Sequence, residues 1–186
     1  IWTSAITATV NTLLITVPAA VVTLFVLHQV GGPTAVFQSL ERQDPQLLSI
    51  FRADAAAGFG ITLALGLLAS TVADQTFWQK VWAIRPNHVK RTFIWGGAWF
   101  YPIPLALGLL GLTALGIGVK PDDLGGDVTA VGPYLVSHLG LPLFIVILYT
   151  LLVLNACYST IDGAFSAMSS LVAVDIVKPL KPSLPE

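Results

Sequence analysis

Charge is what this chain has least of. Only 19 of its 186 side chains are charged, nine basic and ten acidic, where a soluble domain carries about a quarter. Too little polar surface remains to hold a folded chain in water. The near balance of signs also excludes nucleic acid as a partner, since no basic stripe exists to neutralise phosphates. A lone cysteine, Cys157, excludes a disulfide within the chain. Together with three scattered histidines, His28, His88 and His138, it leaves no cluster for a transition metal. Enzyme signatures are missing as well: there is no phosphate-cradling glycine loop, no His-Glu-x-x-His pattern and no nucleophile elbow. The expectation is of a protein that is not an enzyme and carries no cofactor. Nothing in the sequence resembles a cleavable leader either, since Ile1 opens it within an apolar run, without Met and without basic residues. An internal piece of a longer protein is expected from that start.

What is present is long apolar sequence. Mean hydropathy is +0.80, and no charged residue falls within 1–40, 55–73, 92–119 or 128–161. Each stretch holds the roughly 20 residues that one helical crossing of a bilayer needs. Spans are expected at about 5–28, 57–80, 93–118 and 142–174, all helical because lipid cannot satisfy an open backbone edge. The fold class is an all-α polytopic membrane protein, with residues 1–186 as a single membrane domain. Basic residues set its orientation. Lys80, Arg85, Lys90 and Arg91 crowd the loop between the second and third spans, and Lys178 and Lys181 follow the fourth. The other connections hold Arg42, Arg52 and Lys120 among Glu41, Asp44, Asp54, Asp122, Asp123 and Asp127. Positive residues favour the cytoplasmic side, so loop 81–91 and the C-terminal tail are expected in the cytoplasm, below a plasma or inner membrane. The long connection from Gly31 to Asp54 carries Phe37, Leu40, Leu47, Leu48, Ile50 and Phe51, the pattern of short helices lying on the outer surface.

Two acids stand at odds with such sequence. Asp74 closes the apolar part of the second span and Asp162 lies inside the fourth, where an ionisable group is costly enough to imply a function. Asn155, Ser159, Asp162, Ser166 and Ser169 recur at spacings of four, three, four and three, so one helix face carries them. Ala156 precedes Ser159 by three residues and Thr160 by four, which sets its carbonyl beside both hydroxyls. Hydroxyl and carbonyl oxygens are the hard ligands that alkali and alkaline-earth cations take. Serine and threonine in membrane helices also serve as plain packing contacts. Asp162 tips the reading toward an ion or proton site, with Asn155 beside it.

In the second span Ser70, Thr71, Asp74 and Gln75 share a face with Trp78, after Gly58, Gly60 and Gly66 have weakened helix continuity. A discontinuous membrane helix is how many transporters build a substrate site, which makes these four polar residues candidate substrate contacts. Asp74 can equally mark the cytoplasmic end of the span, paired with Lys80 or Arg91. Trp78, Trp82, Trp95, Trp99 and Tyr101 fit an interfacial aromatic belt. Pro18, Pro102 and Pro104 fit kinks in the first and third spans.

These motifs resemble a known family. Ala156-Cys157-Tyr158-Ser159-Thr160, followed by Ser169-Ser170-Leu171-Val172-Ala173-Val174-Asp175-Ile176, is similar to a helix of the sodium:solute symporter family. That helix carries a small residue, a Ser-Ser or Ser-Thr pair and a terminal Asp-Ile. Asp74-Gln75-Thr76-Phe77-Trp78-Gln79-Lys80 resembles the same family's Gln-x-x-x-Gln-Arg stretch, in the form of its urea-permease-like branch. The resemblance implies a partial LeuT-like inverted-repeat core, the four spans being its fifth to eighth helices. It implies that Ala156, by its carbonyl, and Ser159 and Thr160, by their hydroxyls, supply part of a sodium site. Remaining helices of the same full-length transporter would complete it. It also implies that Leu67 to Gln75 face substrate. One departure concerns the family's frequent Thr-Asp-x-x-Gln pattern near the start of the fifth core helix. Here the matching stretch is Thr7-Ala8-Thr9-Val10-Asn11, with Ala8 in the acid's place. That favours one-sodium coupling, or a proton handled by Asp162.

The expected function is sodium-coupled symport of a small organic solute by alternating access, with sodium, solute and the lipid bilayer as partners. The alternative is a symporter-like membrane input module of a sensor or signalling protein.

Overall fold

The computed structural model describes residues 2–49 and 51–181, and among them every regular element is helical. Ile50 and the end of the tail from 182 lie outside the described residues. Four helices are long and apolar enough to cross a membrane: Ile6–Gln29, Ala53–Ala73, Pro86–Gly116 and Leu143–Leu180.

The first belongs to α1 (Trp2–Gln29), which continues through Pro18. It ends where Gly31 and Gly32 take φ of 93° and 88°, a left-handed reversal that glycine adopts without strain. There α2 (Gly32–Gln43) begins, with a proline in its first turn. Val36 and Leu40 are buried and Phe37 is exposed. Of the apolar residues read from this connection, Leu40 packs on the bundle end with Leu47 and Leu48 beside it, whereas Phe37 and Phe51 are exposed. Asp44 starts the turn that follows, Pro45–Leu48, by accepting the Gln46 amide at 2.9 Å.

The second span comes in pieces. α3 (Ala53–Ala55), a π-helical stretch over Ala56–Ile61 and α4 (Thr62–Ala73) run end to end. Gly58 and Gly60 fall in the π-helical stretch, where poor helix formers let the coil widen. The helix stops only at Asp74, whose φ of −84° and ψ of 115° are extended. α5 (Gln75–Trp82) restarts at once. The expected span 57–80 is thus two helices meeting at the acid, and the glycines loosen the first of them without breaking it.

The third span is α6 (Val89–Phe100) and α7 (Pro102–Gly116), parted at Tyr101. Pro102 and Pro104 bring no amide hydrogen to the helix, and the bond from Leu105 N to the Tyr101 carbonyl is stretched to 3.4 Å. After α8 (Val131–His138), α9 (Leu143–Leu171) continues through a π-helical Val172–Val177 into α10 (Lys178–Leu180).

Packing is uneven along the bundle. α1 lies against both α9 and α7, and Val22 and Val26, Leu110 and Ala114, and Ile145 of the three helices share one core with Leu135 of α8. A second cluster joins Leu27 to Val36 and Leu40 of α2. Polar bonds reinforce the same end. Thr23 Oγ1 donates to the Ala106 carbonyl at 3.0 Å. Ser39 Oγ and Gln43 Nε2 donate to the carbonyls of Gly116 and Leu115, at 2.6 and 3.2 Å, in the last turn of α7, where carbonyls have no amide four residues on within the helix. A Cβ on Gly116 would lie 2.9 Å from Val36 Cγ1, so this approach of α2 to α7 depends on glycine. Toward the basic loop the bundle opens: α4 is exposed throughout, and α5 reaches across to α9.

Candidate functional site

Local chemistry explains why the chain breaks at Asp74. Its amide gives α4 a last bond, to the Ser70 carbonyl at 2.8 Å. Its carboxylate accepts the Thr76 amide, also at 2.8 Å, the contact by which an N-cap acid closes an open helix start. Negative charge there also suits the positive end of the α5 dipole. A break strands carbonyls of the preceding turn, and the Trp78 indole N–H donates to one of them, Val72 O, at 2.9 Å. Trp78, read as part of the aromatic belt, is a clasp across the break. Asparagine caps a helix as well as aspartate does, so Asp74→Asn should keep the fold. Asp74→Ala should cost about 1 kcal/mol, measured as a lower midpoint of thermal unfolding in detergent. Equal losses from the two would assign the effect to the charge and not the cap.

From the break, α5 docks on α9. Gln79 Nε2 donates to Ser170 Oγ and, at 3.4 Å, to the Ser166 carbonyl. One turn earlier Thr76 sits over Gly163, where an added Cβ would lie 3.9 Å from Thr76 Cγ2. Gly163 and Ala167 give α9 the small-residue face that lets two membrane helices approach.

Between α5 and α9 lies an open cleft of about 800 Å³. Asp74, Gln75 and Thr76 line one wall, Ser159 and Thr160 the other, and Phe100 reaches it from α6. Thr160 Oγ1 donates to the Ala156 carbonyl at 3.0 Å, so these two oxygens lie side by side on one turn. Ser159 is half-buried next to them. The cleft thus sets two hydroxyls against a carboxylate, an amide and a broken helix end, and Ala156 lies outside its lining.

The structure brings together some of the residues singled out by sequence and separates others. Asp74, Gln75, Ser159 and Thr160 share the cleft. Asn155 is held elsewhere, its Nδ2 donating to the carbonyl of the buried Asn11 at 3.1 Å, in the seam between α9 and α1. Ser70 and Thr71 are exposed on α4, and the Thr71 hydroxyl bonds back to Leu67 O at 2.8 Å. Asp162 is half-buried on α9 but lines neither cleft wall. Sequence reasoning missed the docking role of Thr76, Gln79, Gly163 and Ser170. The available signal was Gly163 with Ala167 and Ser166 with Ser170, two pairs of small residues four apart, which mark a face made for a neighbouring helix.

The family model for the sodium:solute symporter family matches residues 1–184. The chain belongs to the sodium:solute symporter family. No curated protein and no solved structure matches it. As a sodium:solute symporter it is a transmembrane protein of a family that transports solutes with sodium, and that family is one of transporters and not of enzymes. The four apolar helices are its membrane-crossing candidates.

Proposed function

We propose that this symporter carries a small organic solute together with sodium by alternating access. The observation that supports the reading is the shared cleft, in which the helix break at Asp74 faces Ser159 and Thr160. Sodium is held by the hydroxyls of Ser159 and Thr160 and by the Ala156 carbonyl. The Thr160 hydroxyl rotates to present a lone pair where it now donates a hydrogen. Further oxygens come from other helices of the same full-length transporter, packed against the exposed α4. Solute lies toward Gln75 and Asp74. Occupied sodium favours the conformation that binds solute, and coupling follows because both ligands prefer the same state.

In this proposal the spans are the fifth to eighth helices of a LeuT-like inverted-repeat core. Loop 81–91 and the tail are cytoplasmic, as the basic residues of that loop favour. The test is uptake by the full-length protein in proteoliposomes, with urea as the first probe because of the branch resemblance. A sodium gradient at equal pH should drive accumulation, and a pH gradient at equal sodium should not. Accumulation driven by pH alone would move the coupling to a proton and make Asp162 the residue to study.

A further inference from the structure

The third span opens with charge. Lys90 and Arg91 stand on the first turn of α6, and neither forms an ion pair with a described residue. They line a groove of about 340 Å³ with Asn87, Ile94 and Trp95. Positions 87, 90, 91, 94 and 95 are separated by three and four residues, so they fall on one face, and all five side chains are exposed. Along that face the chemistry changes within roughly 12 Å, at the 1.5 Å rise of a helix. An amide and two cations occupy the loop end; isoleucine and an indole follow on the membrane side. No acid occurs between Lys80 and Arg91 to neutralise the charge.

We propose that this groove binds the headgroup of an anionic phospholipid. Lys90 and Arg91 take the phosphate, Asn87 donates to headgroup hydroxyls, and Ile94 and Trp95 lie along the glycerol and the first acyl carbons. The order of groups matches that of the lipid: charge at the surface, an interfacial indole next, hydrocarbon beyond. Basic groups at a membrane face attract anionic headgroups. A soluble phosphate would use the cations and leave the apolar half of the groove empty, which is why the lipid is favoured. The proposal does not depend on the transport reading; it needs only that α6 crosses a bilayer with this face turned to lipid.

Native mass spectrometry of the full-length protein tests it, with phosphatidylglycerol and phosphatidylcholine of identical chains as probes. Wild-type protein should retain phosphatidylglycerol in preference to phosphatidylcholine. Lys90→Gln with Arg91→Gln should weaken that binding by roughly ten- to thirtyfold. Lys80→Gln with Arg85→Gln makes the same change of charge outside the groove, on α5 and in the loop that follows it, and should leave binding within about twofold. Lys90→Arg should bind like wild type. Equal weakening by the two double variants would reduce the effect to a diffuse field and overturn the site. Absence of preference for phosphatidylglycerol would overturn it as well. Displacement of the lipid by millimolar inorganic phosphate would replace it with a soluble phosphate site.

Discussion

Replacing Ser159 and Thr160 together by alanine should abolish sodium stimulation of uptake while the protein still folds and inserts. A hydrogen bond or equivalent dipole contact to a charged partner is worth about 1.5–3 kcal/mol. Two lost together weaken sodium binding by roughly a hundredfold or more, enough that ordinary sodium concentrations leave the site empty. The helix itself loses little. Thr160 bonds within its own turn, to Ala156 O at 3.0 Å, and alanine is the better helix former. Thr150 makes the same kind of bond, to Val146 O at 2.8 Å, on the same helix away from the cleft. Thr150→Ala is therefore the matched control and should transport normally. Thr160→Ser keeps an oxygen in place and should retain most of the sodium response. The measurement is initial uptake rate against sodium concentration. A double variant with the wild-type sodium curve would remove α9 from the ion site.

Much of the fold is legible because the bilayer imposes a length. Uncharged stretches of crossing length stand out in composition alone, and each overlaps one of the long helices. The break in the second span was harder to place. Glycines at 58, 60 and 66 suggest weakness there, but a glycine penalty of about 1 kcal/mol loosens a helix without redirecting it. The π-helical stretch over Ala56–Ile61 is that loosening. Redirecting the chain needs a group that can close one helix and start another, and Asp74 does both.

A similar limit applies to the polar stripe on α9. Spacing puts Asn155, Ser159 and Ser166 on one face, but a stripe on one helix does not say which neighbour meets it at each height. At Asn155 the neighbour is α1; at Ser166 and Ser170 it is α5. Ser159 and Thr160, between those two contacts, line the open cleft. The bond from Gln79 to Ser170 joins residues 91 positions apart, a pairing that no local periodicity encodes.

Gly163→Leu should stop transport where Gly163→Ala does not. An alanine Cβ would sit 3.9 Å from Thr76 Cγ2, an ordinary contact that α5 tolerates without moving. Leucine adds three more carbons at a seam already in contact, and overpacking of this kind costs about 1–3 kcal/mol. The side chain relieves it in one of two ways: it levers α5 off α9, or it turns into the cleft one helical turn below Ser159 and Thr160. Either result should lower the maximal uptake rate by roughly tenfold, the equivalent of about 1.4 kcal/mol, with the amount of protein in the membrane unchanged. Gln79→Ala separates the two. It removes the donor to both Ser170 and Ser166 and adds no bulk to the cleft. If Gly163→Leu acts by levering, Gln79→Ala should reproduce its loss of rate; if it acts by filling the cleft, Gln79→Ala should transport nearly normally. Full activity in Gly163→Leu would mean that neither the α5–α9 seam nor the space beside it lies on the transport route.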